Sequence, residues 1–218
     1  MASSLYAFDD AVKKRFGARY LIGVDEAGRG CLAGPVVAAA VILQEPGRKP
    51  PLDGLRDSKL LPPLKRELLF EALRSRALCR GVAAVSAGKV DALNILQATL
   101  VAMRRAIMAC LKASPVPLPL ETTLALVDGN RPVPGLERRQ QTWVDADALS
   151  ASVAAASIVA KVTRDRWMRE QDALYPGYGF KAHKGYGTAV HLEALRSLGP
   201  CEIHRRTFKP VRQLSDVQ

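Results

Sequence analysis

Residues 20–30 read YLIGVDEAGRG, and this stretch decides the fold class. Leu21, Ile22 and Val24 form a short apolar run that predicts a strand over Tyr20–Asp25. Ala27, Gly28, Arg29 and Gly30 predict a turn directly after it. Asp25 and Glu26 therefore stand at a strand end. In open α/β sheets sites gather at strand ends, because the rigid sheet fixes a side chain and the following loop leaves room.

Working outward, Pro35–Leu43 carries Val36, Val37, Val41 and Ile42 and predicts a second, buried strand. Gln44–Asp57 is rich in Pro, Gly and charge and predicts a loop. Pro62 and Pro63 mark a helix start, followed at helical spacing by Leu64, Leu68, Leu69, Ala72, Leu73 and Ala77. Gly81–Ala87 predicts a short strand, and Val90–Leu111 a single long amphipathic helix. Thr123–Asp128 predicts a strand ending in the turn Asp128-Gly129-Asn130, with another short strand at Gln141–Val144. Ala148–Leu174 predicts a helix whose small face (Ala151, Ala154, Ala155, Ser157, Ala160) lets another element approach closely. The alternation gives an α/β class without internal repeats, and one domain is expected over the 218 residues.

The chain is 48% apolar and 24% charged, which excludes a mainly disordered polymer. Its net charge is +11, from 32 basic and 21 acidic residues, and a polyanion such as nucleic acid is the expected partner. Between Ala160 and Arg212 eleven basic residues face five acids, so about half of the excess lies in one quarter of the chain. Cys31, Cys79, Cys110 and Cys201 form no CxxC pair and read as core thiols of a reduced compartment. The N-terminal residues lack an apolar signal region, and no apolar-leaning stretch approaches the roughly 20 residues of a membrane span. A cytoplasmic protein, not bound to membrane, is expected.

In so basic a chain the placement of acids is informative. Asp25, Glu26 and Asp128 at two strand ends would build an oxygen-ligand cluster for Mg²⁺ or Mn²⁺, able to support phosphodiester hydrolysis. Each acid alone reads equally as a turn or cap residue. Adjacent Asp25 and Glu26 point to opposite faces of a continuing strand, so sharing one site requires the strand to break at Glu26.

Further motifs extend the pattern. Gly23–Ile42 reads GVDEAGRGCLAGPVVAAAVI; Asp57-Ser58-Lys59 and Asn94-Ile95-Leu96 follow; then come VDGN (Val127–Asn130), AAASIVAKVTRDR (Ala154–Arg166), YGFKAHKGYGT (Tyr178–Thr188) and HRRTFKPV (His204–Val211). In this order they resemble the type 2 ribonucleases H, specifically ribonuclease HII, from about Tyr20 to Arg212. The resemblance implies a ribonuclease H-like mixed β-sheet flanked by helices, with a helical C-terminal extension. It implies a lead-in over about 1–19, too short for the extra N-terminal domain of ribonuclease HIII, and a basic substrate-binding part over about 175–212.

The resemblance also implies that Asp25, Glu26 and Asp128 are catalytic metal ligands for two divalent ions, Mn²⁺ or Mg²⁺. A fourth carboxylate is implied ten residues before Ser157, at Asp147, with Asp145 as a rival. Ala146 and Leu149 stand where the family carries a glycine and a basic residue. Gly28, Arg29 and Gly30 are implied to read a 2′-hydroxyl at an RNA-to-DNA junction, and Tyr186 to stack on the neighbouring nucleotide. Lys59 is implied near the scissile phosphate, with Lys181, Lys184, Arg205 and Arg206 on the duplex backbone. The implied substrates are RNA–DNA hybrids and ribonucleotides embedded in duplex DNA, cut by a monomer on the 5′ side to leave 3′-hydroxyl and 5′-phosphate ends. The alternatives are a non-catalytic basic nucleic-acid-binding protein, indifferent to the acids, and another nuclease of the same fold, unable to cut at a lone ribonucleotide.

Overall fold

The computed structural model describes residues 2–44, 52–136 and 139–215. In chain order it contains α1 (Ala2–Phe16), β1 (Tyr20–Ala27), β2 (Val36–Leu43), α2 (Pro63–Arg76), β3 (Ala77–Val85), α3 (Ala87–Leu93) and α4 (Ile95–Lys112). There follow β4 (Thr123–Asp128), β5 (Gln140–Trp143), α5 (Ala151–Leu174), α6 (Phe180–His183), α7 (Ala189–Leu198) and α8 (Lys209–Ser215). Short 3₁₀ turns lie at Ser58–Leu60 and Ala146–Ala148. The loop expected over Gln44–Asp57 falls partly outside the described residues.

The strands form one sheet in the order β3-β2-β1-β4-β5. β2 is antiparallel to both β1 and β3, whereas β4 runs parallel to β1 and β5 parallel to β4, so the sheet is mixed. Strand alternation divides the core. Ile22, Val24, Ala125 and Val127 pack with the α4 side chains Ala102, Met103, Ala106 and Ile107. Leu21, Leu124 and Leu126 pack with Val153 of α5 and Val12 of α1 on the other face. Ala39 and Val41 of β2 join the α5 alanines and Leu69 and Leu73 of α2 there. The small face of α5 thus performs the close approach expected of it. At Gly23 a Cβ atom would lie 2.0 Å from the Ser152 carbonyl carbon, so only glycine lets the central strand come this near α5.

Several local expectations are corrected. The long helix over Val90–Leu111 is two helices. Asn94 adopts φ 67°, and its side chain accepts from the Gln97 amide at 3.0 Å, capping α4. On α2 only Leu69 and Leu73 are buried, while Leu64 and Leu68 face solvent with Leu60. The lead-in folds as α1, and its Asp9 is buried against the start of α5. Asp9 accepts from the Ser150 hydroxyl at 2.5 Å, the Ser152 hydroxyl at 2.7 Å and the Ser152 amide at 2.9 Å. A negative charge at a helix N-terminus meets both its free amides and its dipole.

Candidate active site

β1 and β4 pair in register from Tyr20/Thr123 to Val24/Val127, so Asp25 and Asp128 are the next residues on adjacent parallel strands. Alternation puts both on the α5 face, with Leu21 and Leu126. The turn Ala146–Ala148, just before α5, adds Asp147 to that face. The Ala146 amide donates to Asp128 Oδ1 at 2.8 Å and ties this turn to the strand end. Asp147 is buried; Asp145, at φ 55°, is exposed. Of the two rivals, only Asp147 is enclosed with the strand-end acids.

Glu26 departs from expectation. β1 does not break there, because its ladder with β2 continues through Glu26 and Ala27. The ladder with β4 stops at Val24, however, so the strand has an open edge beyond that point. There the Asp25 carboxylate accepts the Glu26 amide at 2.6 Å, and the Glu26 carboxylate accepts Arg29 at 3.3 Å.

The four carboxyls all titrate above their ordinary range. Burial pushes Asp25 well up, and repulsion from Glu26, Asp128 and Asp147 adds to it. Burial raises Glu26 and Asp128 as well, partly opposed by Arg29 at the first and by the Ala146 amide and Lys59 at the second. Asp147 is pushed up to about 6 by burial and by the neighbouring Asp57. Like charges held together in a poorly hydrated site favour a bound cation or a proton. Among the described residues no three such side chains are already drawn around a single ion position. The donor set itself, four carboxylates and no thiolate or imidazole, fits a hard divalent ion such as Mg²⁺ or Mn²⁺.

Asp57 is a site residue the motif reading left without a role. Its side chain accepts the Lys59 amide at 2.8 Å while its charge acts on Asp147. Arg66 holds the same turn by donating to Ser58 O at 2.6 Å and Leu61 O at 3.0 Å. Lys59 is exposed; partial burial is the largest single influence and opposes its charge, but Asp57, Asp147, Asp25 and Asp128 together outweigh it and raise its pKa. It is thus a firmly charged ammonium beside the carboxylates.

Gly28, at φ 94°, begins the turn that follows β1, and Arg29 and Gly30 are exposed. Tyr186 is 43% exposed, with the Lys161 ammonium 5.5 Å from its ring centre. The basic quarter of the sequence is only partly a surface patch. Lys161, Arg166, Arg169 and Arg196 pair with Asp165, Glu67, Glu71 and Glu193. Arg164 and Arg205 are fully buried. Lys181, Arg206, Lys209 and Arg212 remain exposed and Lys184 half-buried. Arg205, expected on the duplex backbone, therefore cannot reach a phosphate. All three histidines are buried as well.

The family model for ribonuclease HII matches residues 22–211. The chain belongs to the ribonuclease HII family. It is 52% identical over 195 residues to ribonuclease HII of Delftia acidovorans, covering 89% of this chain and 78% of that one. It is 54% identical over 189 residues to that of Verminephrobacter eiseniae, covering 87% and 85%. Among solved structures, ribonuclease H2 from Pyrococcus horikoshii OT3 aligns with a TM-score of 0.69 and 28% identity, covering 91% of this chain and 98% of the other. As a ribonuclease HII, the protein is a metal-dependent endoribonuclease acting on RNA–DNA hybrids, and a non-catalytic binding role is set aside. Among the described residues no helix is long and apolar enough to cross a membrane.

Proposed function

We propose that this enzyme, besides cutting RNA in hybrids, incises duplex DNA on the 5′ side of a single embedded ribonucleotide, leaving 3′-hydroxyl and 5′-phosphate ends. The observation that carries this reading is the adjacency of the Asp25, Glu26, Asp128 and Asp147 carboxyls to the Gly28-Arg29-Gly30 turn. The first group suits divalent ions and the second lies within the same strand end.

Asp25, Glu26, Asp128 and Asp147 would hold two ions, Mg²⁺ or Mn²⁺, which when bound supply an acidified water and neutralise the departing 3′-oxygen. Lys59, kept charged by the surrounding acids, meets the scissile phosphate. Gly28, Arg29 and Gly30 bring backbone groups against the 2′-hydroxyl, the one feature that marks a ribonucleotide. The exposed ring of Tyr186 packs on the neighbouring nucleotide, and Lys181, Lys184 and Arg206 register the duplex through its phosphates. Four free cysteines are in keeping with action in the cytoplasm, and the working unit is a monomer.

The test is cleavage of two duplexes, one with a lone ribonucleotide and one a continuous hybrid. Cutting of both, with the lone site cut on its 5′ side, is the expected outcome. Cutting of the continuous hybrid alone contradicts the proposal.

A further inference from the structure

Among the described residues two arginines, Arg164 and Arg205, are fully buried, and neither makes an ion pair there. Every donor contact they make is to a backbone carbonyl. Arg205 donates through Nη2 to Gly28 O at 2.7 Å, through Nη1 to Arg29 O at 2.8 Å and through Nε to Gly34 O at 3.1 Å. Arg164 donates to Ala33 O at 2.9 Å, Lys184 O at 2.9 Å and Pro35 O at 3.0 Å. Gly28 rests on Arg164, and a Cβ there would lie 2.0 Å from its Nε. Burying a cation costs several kcal/mol unless its donors are satisfied, and six carbonyls provide that here.

The consequence follows from the planarity of the peptide unit. In a trans peptide the C=O and the following N–H point in opposite directions. Arg205 draws the carbonyls of Gly28 and Arg29 inward, so the amides of Arg29 and Gly30 point outward. Neither amide donates to a backbone carbonyl among the described residues. Two consecutive outward amides in a tight turn, above two buried guanidinium charges, form a concavity that favours an electron-rich oxygen.

We infer that Arg205, seated with Arg164, is a positioning residue for ribonucleotide selection: it orients the Arg29 and Gly30 amides toward the sugar, and makes no phosphate contact itself. This rests on the proposed reading of the Gly28-Arg29-Gly30 turn. It also explains how C-terminal residues enter the site. The Arg205 amide bonds Leu32 O at 2.8 Å and the Leu32 amide bonds Gly185 O at 2.8 Å, so the turn and the strand-distal helices are one assembly. Arg205 is irreplaceable by lysine in this role, since a point charge cannot serve three carbonyls in a fixed fork.

The experiment compares Arg205→Lys with wild type on two readouts. One is kcat/KM for a duplex with one ribonucleotide. The other is the inhibition constant of the same duplex made wholly of DNA. Mispositioned amides lower kcat/KM about 10- to 100-fold while the all-DNA inhibition constant stays within about twofold. An unchanged kcat/KM, or a parallel loss on both readouts, overturns the inference. Should Arg205→Lys fail to fold, amide NMR of the wild type in metal-free buffer decides. The Arg29 and Gly30 resonances shift with the ribonucleotide duplex and not with all-DNA; no selective shift overturns the inference. A wild type that leaves the lone ribonucleotide uncut overturns the underlying reading instead.

Discussion

His191 and His204 meet Nε2 to Nε2 at 3.0 Å inside the C-terminal helical part. Their other nitrogens settle the direction of that bond. His204 Nδ1 accepts the Cys201 amide at 3.0 Å, so its Nε2 carries the hydrogen and donates. His191 Nε2 accepts, and its Nδ1 hydrogen goes to the Tyr186 carbonyl at 2.9 Å. A relay of two neutral rings thus fixes the backbone of the tyrosine assigned to the substrate.

The relay makes stability depend on pH. Burial lowers both histidines to about 4, below the usual value of 6.5. Between pH 6.5 and 4 the unfolded chain binds protons that the folded rings refuse, so this contribution is full above 6.5 and declines as pH falls. Urea unfolding of wild type against His204→Gln reads it. Wild type should lose about 1 kcal/mol more per pH unit than the variant over that window. Parallel pH curves for the two proteins would exclude the neutral relay.

The carboxylate cluster has the opposite slope. Asp147 titrates near 6 in the fold against 3.8 in the open chain, so the folded state holds its proton longer and stability declines as pH rises between those values. At pH 7 the metal-free protein carries the full cost of the ionised group. Asp147→Asn should therefore stabilise the metal-free protein by about 1 kcal/mol, allowing for solvent screening, while activity falls at least about 100-fold. Asp145→Asn, at an exposed position, should leave activity within about twofold of wild type. Thermal melts and a hybrid-cleavage assay check both.

Asp9 should matter to the fold and not to the reaction. Asp9→Ala removes three acceptor contacts from the buried start of α5 and should cost about 2 kcal/mol. The kcat measured at 25 °C should stay within about twofold. A large loss of kcat in a protein that still melts cooperatively would show α1 acting on the site.

Gly23→Ala probes the approach of β1 to α5. The added methyl meets backbone, which cannot rotate away, so the loss should reach about 3 kcal/mol or more. Chemical denaturation measures it, and a change under 1 kcal/mol would contradict the packing described.

The regular core was legible because strand alternation and helix spacing are local. Thr123–Asp128 was placed residue for residue, and the small face of Ala151–Ala160 announced its close contact. What failed depended on distant partners. Asn94 broke a helix whose apolar spacing ran on unbroken, because a side-chain cap competes with helix continuation. Leu64 and Leu68 fitted the apolar stripe of α2, yet that stripe turns out wider than the surface it covers. Arg205 and Arg166 count alike as cations in the sequence, and only the fold separates a buried carbonyl clamp from an ion pair with Glu67. Glu26 was expected to need a broken strand; the strand runs on against β2, and the closeness of Glu26 to Asp25 and Asp128 is a property of the fold alone. Asp57 carried no signal beyond its place two residues before Lys59; its proximity to Asp147 is tertiary.

The central claim is that strand-end carboxylates perform hydrolysis at a lone ribonucleotide. The most direct measurement is cleavage of a DNA duplex containing one ribonucleotide, with Mg²⁺ or Mn²⁺, by wild type and by Asp128→Asn. Wild type should cut on the 5′ side to give 3′-hydroxyl and 5′-phosphate ends, and Asp128→Asn at least about 100-fold more slowly. Equal rates for the two proteins would contradict the account.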